Sequence, residues 1–155
     1  MRSIETPPTR RDVTLGVAAA GAAIGLTGKA HATPEDLADA LKQITKGALI
    51  RSGRVKLTMP ELAENGNVVS TLIEVQSPMT AADHVKTIHV LAEKNPQVTL
   101  IRFHLGARAG RAKIAANVRL ADTQRVLALA EMSDGSFWSG EANVIVTLAA
   151  CVDSG

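Results

Sequence analysis

Cys151 is the one cysteine among 155 residues, and its thiol is the strongest nucleophile that this sequence offers. A lone thiol excludes an internal disulfide and any multi-cysteine metal site. It follows the last predicted strand, in a segment (149–155) that we expect to extend into solvent. A thiol on such an arm is suited to hold a substrate covalently and present it to clefts in other proteins. The alternative is that Cys151 is an incidental residue of a frayed tail.

Three histidines, His84, His89 and His104, fall in predicted strands, and nothing in the sequence brings any of them to Cys151. A thiol enzyme needs a nearby base, so we predict a passive, non-catalytic carrier rather than a self-sufficient thiol-dependent redox enzyme. His84 and His89 are five apart and should point to opposite faces of a strand. The sequence therefore predicts no metal site and no cofactor, and His104, on the same predicted face as Arg102, is interpreted as a surface or interface residue.

A basic window and a pair of aromatic residues offer further candidate surfaces. Phe137 and Trp138 follow a predicted turn and are either core anchors of a hairpin or part of a partner surface. The basic window could steer anions or an acidic partner, or its charges could protect strand edges from aggregation. Its members are Arg102, Arg108, Arg111, Lys113, Arg119 and Arg125, with Asp122 as the single acid.

The first 32 residues have the layout of a removable export signal. Arg10 and Arg11 form the arginine pair of a twin-arginine signal, and sixteen uncharged residues (13–28) follow. That run is short for a membrane span, and Ala30 and Ala32 form a small-x-small cleavage site. We therefore expect a periplasmic protein without a stable membrane anchor. The alternatives are an uncleaved anchor or a buried helix.

Charge and composition argue against nucleic-acid binding. Four of the 17 basic and two of the 15 acidic residues lie in the predicted signal, which leaves 13 of each in the mature chain. The basic pI thus belongs to the signal, and three aromatic residues are too few for a base-stacking platform.

The remaining chain predicts an all-β fold, an immunoglobulin-like β-sandwich with a short N-terminal helix, in one domain over 33–148. Thr33 and Pro34 start the helix, Leu37, Leu41 and Ile44 share its apolar face, and Gly47 stops it. After Gly53 the apolar residues alternate with period 2 between turn residues, as in a sandwich. Seven strands are predicted, at 54–59, 68–76, 84–92, 98–105, 111–120, 125–132 and 136–148.

Several stretches resemble the SoxY family of thiosulfate-oxidation proteins, in the family's order and over essentially the whole mature chain. They are 61–69 (ELAENGNVV), 77–85 (SPMTAADHV), 92–96 (AEKNP), 130–138 (AEMSDGSFW) and 144–148 (VIVTL). The resemblance implies an immunoglobulin-like sandwich that pairs with a SoxZ-like subunit. It also implies that a haem c enzyme couples thiosulfate to Cys151 and that a hydrolase then releases sulfate.

The tail departs from the family's Gly-Gly-Cys-Gly-Gly pattern. Ala149, Ala150, Val152 and Asp153 flank Cys151 here, and they make a stiffer and thicker arm than glycine. Asp153 also places a negative charge beside a thiol that should receive an anion, which disfavours the thiolate. A non-carrying structural subunit of a SoxYZ-like complex is therefore the alternative to a sulfur carrier.

Overall fold

A computed structural model describes residues 32–148 of the protein. In this range the apolar face of the predicted helix and the dry faces of the predicted strands pack against one another. The predictions for Arg10, Arg11, Ala30 and Cys151 lie outside these described residues. Ala32 lies at their start, and its backbone N–H donates to the Asn95 carbonyl at 3.1 Å.

One helix, nine strands and a short 3-10 turn make up the described chain. They are α1 (Pro34–Thr45), β1 (Ile50–Ser52), β2 (Val55–Thr58), β3 (Leu62–Ala63), β4 (Val69–Val75), β5 (Val85–Ala92), β6 (Thr99–His104), the 3-10 turn Ala107–Ala109, β7 (Lys113–Val118), β8 (Gln124–Met132) and β9 (Phe137–Val146).

Helix α1 begins with the predicted cap. The Thr33 hydroxyl accepts from the Asp36 N–H at 3.3 Å, and the Asp36 carboxylate accepts from the Thr33 N–H at 2.7 Å, so both ends of a capping box are present. The helix ends at Thr45, because Lys46 already has a left-handed φ of 54° and Gly47 follows at 82°. The predicted stop at Gly47 is therefore two residues past the last helical residue.

The strands form two antiparallel layers with parallel additions at one edge. The large sheet has the order β1-β9-β8-β5-β6, and the small sheet has the order β2-β4-β7. The short strands β1 and β3 both pair parallel with β9, at its start and at its end respectively. The prediction of an all-β, immunoglobulin-like sandwich is confirmed, and its seven strands agree with β2 and β4–β9 within a few residues.

The large sheet is covered on both faces. Ile88, Val90 and Val126 are fully buried between the sheets, whereas Leu91 and Leu129 point to the other face and pack under α1. Strand β5 is consequently buried at seven of its eight positions. Each fully buried Leu or Ile contributes about 1.5–3 kcal/mol, so α1 stabilises the sheet as well as itself.

Turns occur at the predicted positions of the hairpins. Asp134 and Gly135 reverse the chain between β8 and β9, and Gly135 has a φ of 82°, which favours glycine. The Asp134 carboxylate accepts from the Ser136 N–H at 2.8 Å and from its hydroxyl at 2.7 Å. These hydrogen bonds hold the pKa of Asp134 below its usual value.

Candidate functional site

The chain that leads to Cys151 is anchored up to Leu148. Two backbone hydrogen bonds extend the pairing beyond Val146, the last residue of β9. The Thr147 N–H donates to the Ala63 carbonyl at 3.1 Å, and the Gly66 N–H donates to the Leu148 carbonyl at 2.8 Å. We call residues 145–148 the arm root. Cys151 follows Leu148 by three positions in the sequence.

A threonine side chain holds the other edge of the arm root. The Val146 N–H donates to the Thr123 hydroxyl oxygen at 2.9 Å, and that hydroxyl donates to the Val146 carbonyl at 3.4 Å. Because β8 begins only at Gln124, the Thr123 hydroxyl bonds the Val146 backbone where a strand residue would otherwise do so. Val146 is therefore held on both of its edges.

A buried amide pair supports the loop that carries Thr123. Asn95 and Gln124 are both buried, and the Gln124 amide nitrogen donates to the Asn95 oxygen at 2.7 Å. The Asn95 amide donates to the Arg119 carbonyl at 2.8 Å, and its oxygen accepts from the Ala121 N–H at 3.0 Å. The Asn95 side chain thereby satisfies polar groups of the β7–β8 loop and of Gln124, the first residue of β8.

Asn95→Ala should destabilise the protein by about 2–3 kcal/mol, because it leaves the buried Ala121 N–H and the partly buried Arg119 carbonyl without their partner. Urea unfolding followed by circular dichroism measures this loss. Asn117 is exposed and accepts one long hydrogen bond, from Ser70 at 3.4 Å, so Asn117→Ala is the matched control, with an expected change within about 0.5 kcal/mol. Equal losses in the two variants would contradict the assigned role of Asn95.

The described histidines lie away from the arm root. The strand registers place His104 level with Phe137, the first residue of β9, and His89 level with Ser139. At about 3.4 Å per residue, His104 is roughly 30 Å and His89 roughly 24 Å from the level of Val146. The sequence predicts His84 as the first residue of a strand, whereas β5 begins one residue later, at Val85.

His89 is buried, and its environment disfavours the charged imidazolium. Burial lowers the pKa of His89 below its ordinary 6.5, and the positive charge of Arg102 lowers it further. Glu131 acts in the opposite direction, and His104 adds a small lowering contribution. The Arg102 Nε–H donates to His89 Nδ1 at 3.3 Å, which requires that nitrogen to be unprotonated. His89 is therefore a neutral structural acceptor in the described fold.

His89→Asn should flatten the dependence of stability on acid pH. Because the folded pKa is depressed, wild-type stability is complete above about pH 6.5 and is lost as the pH falls toward the folded value. Asparagine retains an acceptor for Arg102 but does not titrate. Urea unfolding between pH 7 and pH 5 should show the wild type losing stability relative to the variant. Parallel curves would mean that His89 titrates normally.

The two adjacent aromatic residues have different surroundings. Phe137 is buried under α1, which agrees with the core-anchor prediction. Trp138 is partly buried against the core between the sheets, and the guanidinium groups of Arg51 and Arg54 lie 5.8 Å and 5.1 Å from its ring centroid. These cation–π contacts stabilise the end of the sandwich opposite the arm root.

The basic window does not form one continuous face. Arg102 belongs to β6 of the large sheet and Lys113 to β7 of the small sheet, where it pairs with Glu74 at 2.9 Å. Arg125 is neutralised by Glu93 at 3.0 Å and Glu141 at 3.5 Å. The fold therefore divides the charges that the sequence grouped together.

Over residues 32–148, no three His, Cys, Asp or Glu side chains come close enough together to hold a metal ion. In the same part of the chain, no helix is long and apolar enough to cross a membrane.

Comparison with known proteins decides the family. The family model of the sulfur oxidation protein SoxY matches residues 41–151, well over half of the chain and including Cys151. The chain belongs to the SoxY family. The resemblance drawn from the sequence is thereby confirmed. A search of curated proteins found no match.

Solved structures support the same fold. The sulfur carrier protein SoxY from Chlorobium limicola f thiosulfatophilum superimposes with a TM-score of 0.61 at 20% identity, covering 74% of this chain and 98% of that one. A superoxide reductase (neelaredoxin) from Ignicoccus hospitalis gives 0.55 at 14% identity, over 74% and 94%. A putative superoxide reductase from Thermotoga maritima gives 0.53 at 17% identity, over 66% and 89%. At these identities the likeness concerns the sandwich fold, which supports unrelated activities.

Proposed function

We propose that this SoxY-family protein carries sulfur intermediates of thiosulfate oxidation on Cys151 and presents them to partner enzymes. The observation that carries the proposal is the family match, because the matched span extends to Cys151 itself. The geometry of the arm root supports it. The root is held at Val146 on one edge and through Leu148 on the other, so the segment that carries Cys151 starts from a defined position on the sandwich.

The chemistry follows from the family resemblance. In the loading step the thiol loses its proton, and a bond forms between the Cys151 sulfur and the terminal sulfur of thiosulfate. The two electrons released pass to the haem c enzyme, and the product is a cysteine S-thiosulfonate. A hydrolase then adds water across the bond between the terminal sulfur and the sulfonate group. That step releases sulfate and two protons and leaves a persulfide anion on Cys151.

The protein itself contributes a thiol, an attachment point and a docking surface rather than catalytic groups. In the described chain, His89 and His104 lie level with the first part of β9 and His84 lies beside the turn that precedes it, all away from the arm root. None of them is placed to act as a base for Cys151, which favours partner enzymes as the source of the chemistry.

The setting of this function is the periplasm, reached by twin-arginine export through Arg10 and Arg11 with cleavage after Ala32. A SoxZ-like subunit forms the complex with this protein, in a heterodimer or a higher assembly. Export in the folded state is consistent with a subunit that crosses the membrane together with its partner.

A non-carrying structural subunit is the second candidate, and the tail sequence favours it. Ala149, Ala150, Val152 and Asp153 replace the glycines that flank the cysteine elsewhere in the family. These residues restrict the arm, and Asp153 opposes the binding of an anionic group. On this reading the sandwich still assembles with its partner while Cys151 has no chemical role.

Intact-mass spectrometry separates the two candidates. The mature protein is purified from thiosulfate-oxidising cells without reductant, and its mass is compared before and after reduction. A carrier should show reducible adducts of sulfane sulfur or thiosulfonate that map to Cys151. A bare thiol in both samples, from cells that are actively oxidising thiosulfate, would support the structural subunit instead.

A further inference from the structure

Two strand edges on the same side of the sandwich have no partner strand. Strand β6 ends the order of the large sheet and β7 that of the small sheet, and within residues 32–148 each pairs on one side alone. At the other edge of the small sheet, β2 crosses β9 at Gly140. Since β7 is two strands farther on, it lies on the side of β6. We call β6, β7 and their connection (105–112) the open side.

Apolar side chains at the open side are incompletely covered. Ile101 and Phe103 of β6 pack against the core between the sheets, yet both are partly exposed, and Leu105 and Ile114 share this state. In the neighbouring strand β5, by contrast, Ile88 pairs with Phe103 and is fully buried. The core therefore lacks cover along this side, and a further strand beside β6 would supply it.

The backbone of β6 offers hydrogen bonds to such a strand. In an antiparallel ladder, successive residues turn their N–H and carbonyl groups alternately toward the neighbouring strand and away from it. The Leu105 N–H donates to the Lys86 carbonyl at 2.9 Å, so Leu105 and Phe103 bond toward β5. The backbone groups of Arg102 and His104 then point away from β5, at the edge where the sheet order ends.

The open side also carries charge of one sign. No Asp or Glu occurs between Glu93 and Asp122, the stretch that contains β6, β7 and their connection. Arg102, Arg108 and Arg111 are exposed and form no ion pair with an acidic residue of the described chain. These three lie on the open side, although the wider basic window is divided between the sheets. An approaching chain therefore meets positive charge, which favours acidic side chains.

The position of the open side selects a subunit that stays bound. Strand β6 lies three strands from β9, about 14 Å across the large sheet, whereas the arm root continues β9 beside β3. A chain added to β6 thus leaves the arm root uncovered for the enzymes. A second copy of this protein is a poor occupant, because pairing two β6 strands would bring together the Arg102 and His104 side chains of both copies without an acid.

We propose that the SoxZ-like subunit adds an extended strand to β6 and so becomes the next strand of the large sheet. Acidic side chains of that strand lie opposite Arg102 and His104, which are exposed on one face of β6. Apolar side chains alternate with them and cover Ile101 and Phe103 on the core side. The proposal rests on the partner subunit of the function proposed above and names its binding surface on this chain.

The first test is the double variant Arg102→Gln/His104→Glu in the mature protein. Gln keeps a donor for His89, and the two changes together lower the net charge by two. We expect the Kd for the SoxZ-like subunit, measured by titration calorimetry, to rise about tenfold or more, because acidic side chains of the partner then meet a carboxylate. Lys56→Glu is the matched control. It makes the same change of charge at an exposed residue of β2, the opposite edge of the small sheet, and should change Kd less than about twofold.

Hydrogen exchange followed by NMR tests the added strand itself. The Arg102 and His104 amides should exchange rapidly in the free protein and at least about 100-fold more slowly in the complex. Contact through side chains alone would leave both rates unchanged and would overturn the proposal. Slowing of the same amides when this protein is concentrated alone would assign the edge to a second copy, which also overturns it.

The affinities and the loading of Cys151 separate the docking proposal from the carrier function. Equal Kd values for the double variant and the wild type would mean that Arg102 and His104 only protect a free edge, and the proposal would be wrong. It would be equally wrong if wild-type protein bound no SoxZ-like subunit. The carrier function depends instead on sulfur adducts at Cys151 in the intact mass. Their absence from a complex that forms through β6 would refute the carrier function and leave the docking surface in place.

Discussion

Cys151→Ser is expected to abolish thiosulfate-dependent loading of the protein and, with it, thiosulfate oxidation by cells that depend on this subunit. The proposed attachment is a sulfur–sulfur bond, and a serine hydroxyl cannot form it. The serine side chain is also far less acidic and nucleophilic than a thiol, so no slower version of the same reaction replaces it. The effect should therefore be complete rather than partial.

Loading is measured by intact mass after incubation with thiosulfate and the haem c enzyme, and oxidation by sulfate release from cells whose chromosomal copy carries the substitution. Stability should change by less than about 0.5 kcal/mol, and co-elution with the SoxZ-like subunit should persist. If the serine variant supports sulfate release at the wild-type rate, the protein is not a carrier and acts as the non-carrying structural subunit.

Gly140→Val is expected to destabilise the sandwich by about 3 kcal/mol, the largest effect on stability predicted for this chain. Gly140 lies on β9 where β2 of the small sheet crosses it, and a Cβ at this position would collide with the Val55 carbonyl oxygen. Because that neighbour is backbone, the two sheets must move apart to admit a side chain. Strand propensity alone predicts the opposite sign, since valine is favoured in strands and glycine is not.

The control for this prediction is Asn143→Val on the same strand. Asn143 is exposed, so the valine meets no opposing backbone, and we expect a change within about 0.5 kcal/mol. Urea unfolding at neutral pH measures both variants. Stabilisation by Gly140→Val would mean that the approach of β2 to β9 is looser than described, and it would leave strand propensity as the dominant contribution.

The periodicity of the sequence predicted most of the fold, and the reason is local. In β7, Ile114, Ala116 and Val118 alternate with exposed residues, as expected of a strand with one dry face. The strands β1 and β3 escaped prediction because three and two residues are too few to display a period. They exist through parallel pairing with β9, a contact between distant parts of the chain.

The burial of His89 could not be predicted from its neighbours in sequence. Alternation marks which residues share a face, but it does not reveal whether a helix or a partner strand covers that face. His89 lies on the face of β5 that also carries Leu91, which packs under α1, and Arg102 on β6 supplies its hydrogen bond. The same limit applies to the basic window, whose strand residues Arg102, Lys113 and Arg125 belong to two different sheets.

The sequence by itself determined the candidate chemistry: one thiol, no placed base, and a set of motifs that the SoxY family match confirmed. Cys151 as the attachment site stays a prediction from that resemblance. Only the tertiary structure decided what surrounds the attachment point, because Leu62 and Gly66 pair with Ile145 and Leu148 across more than 80 positions of the chain. Local patterns specify which face of a strand is dry, whereas long-range pairing specifies which exposed residues share one end of the molecule.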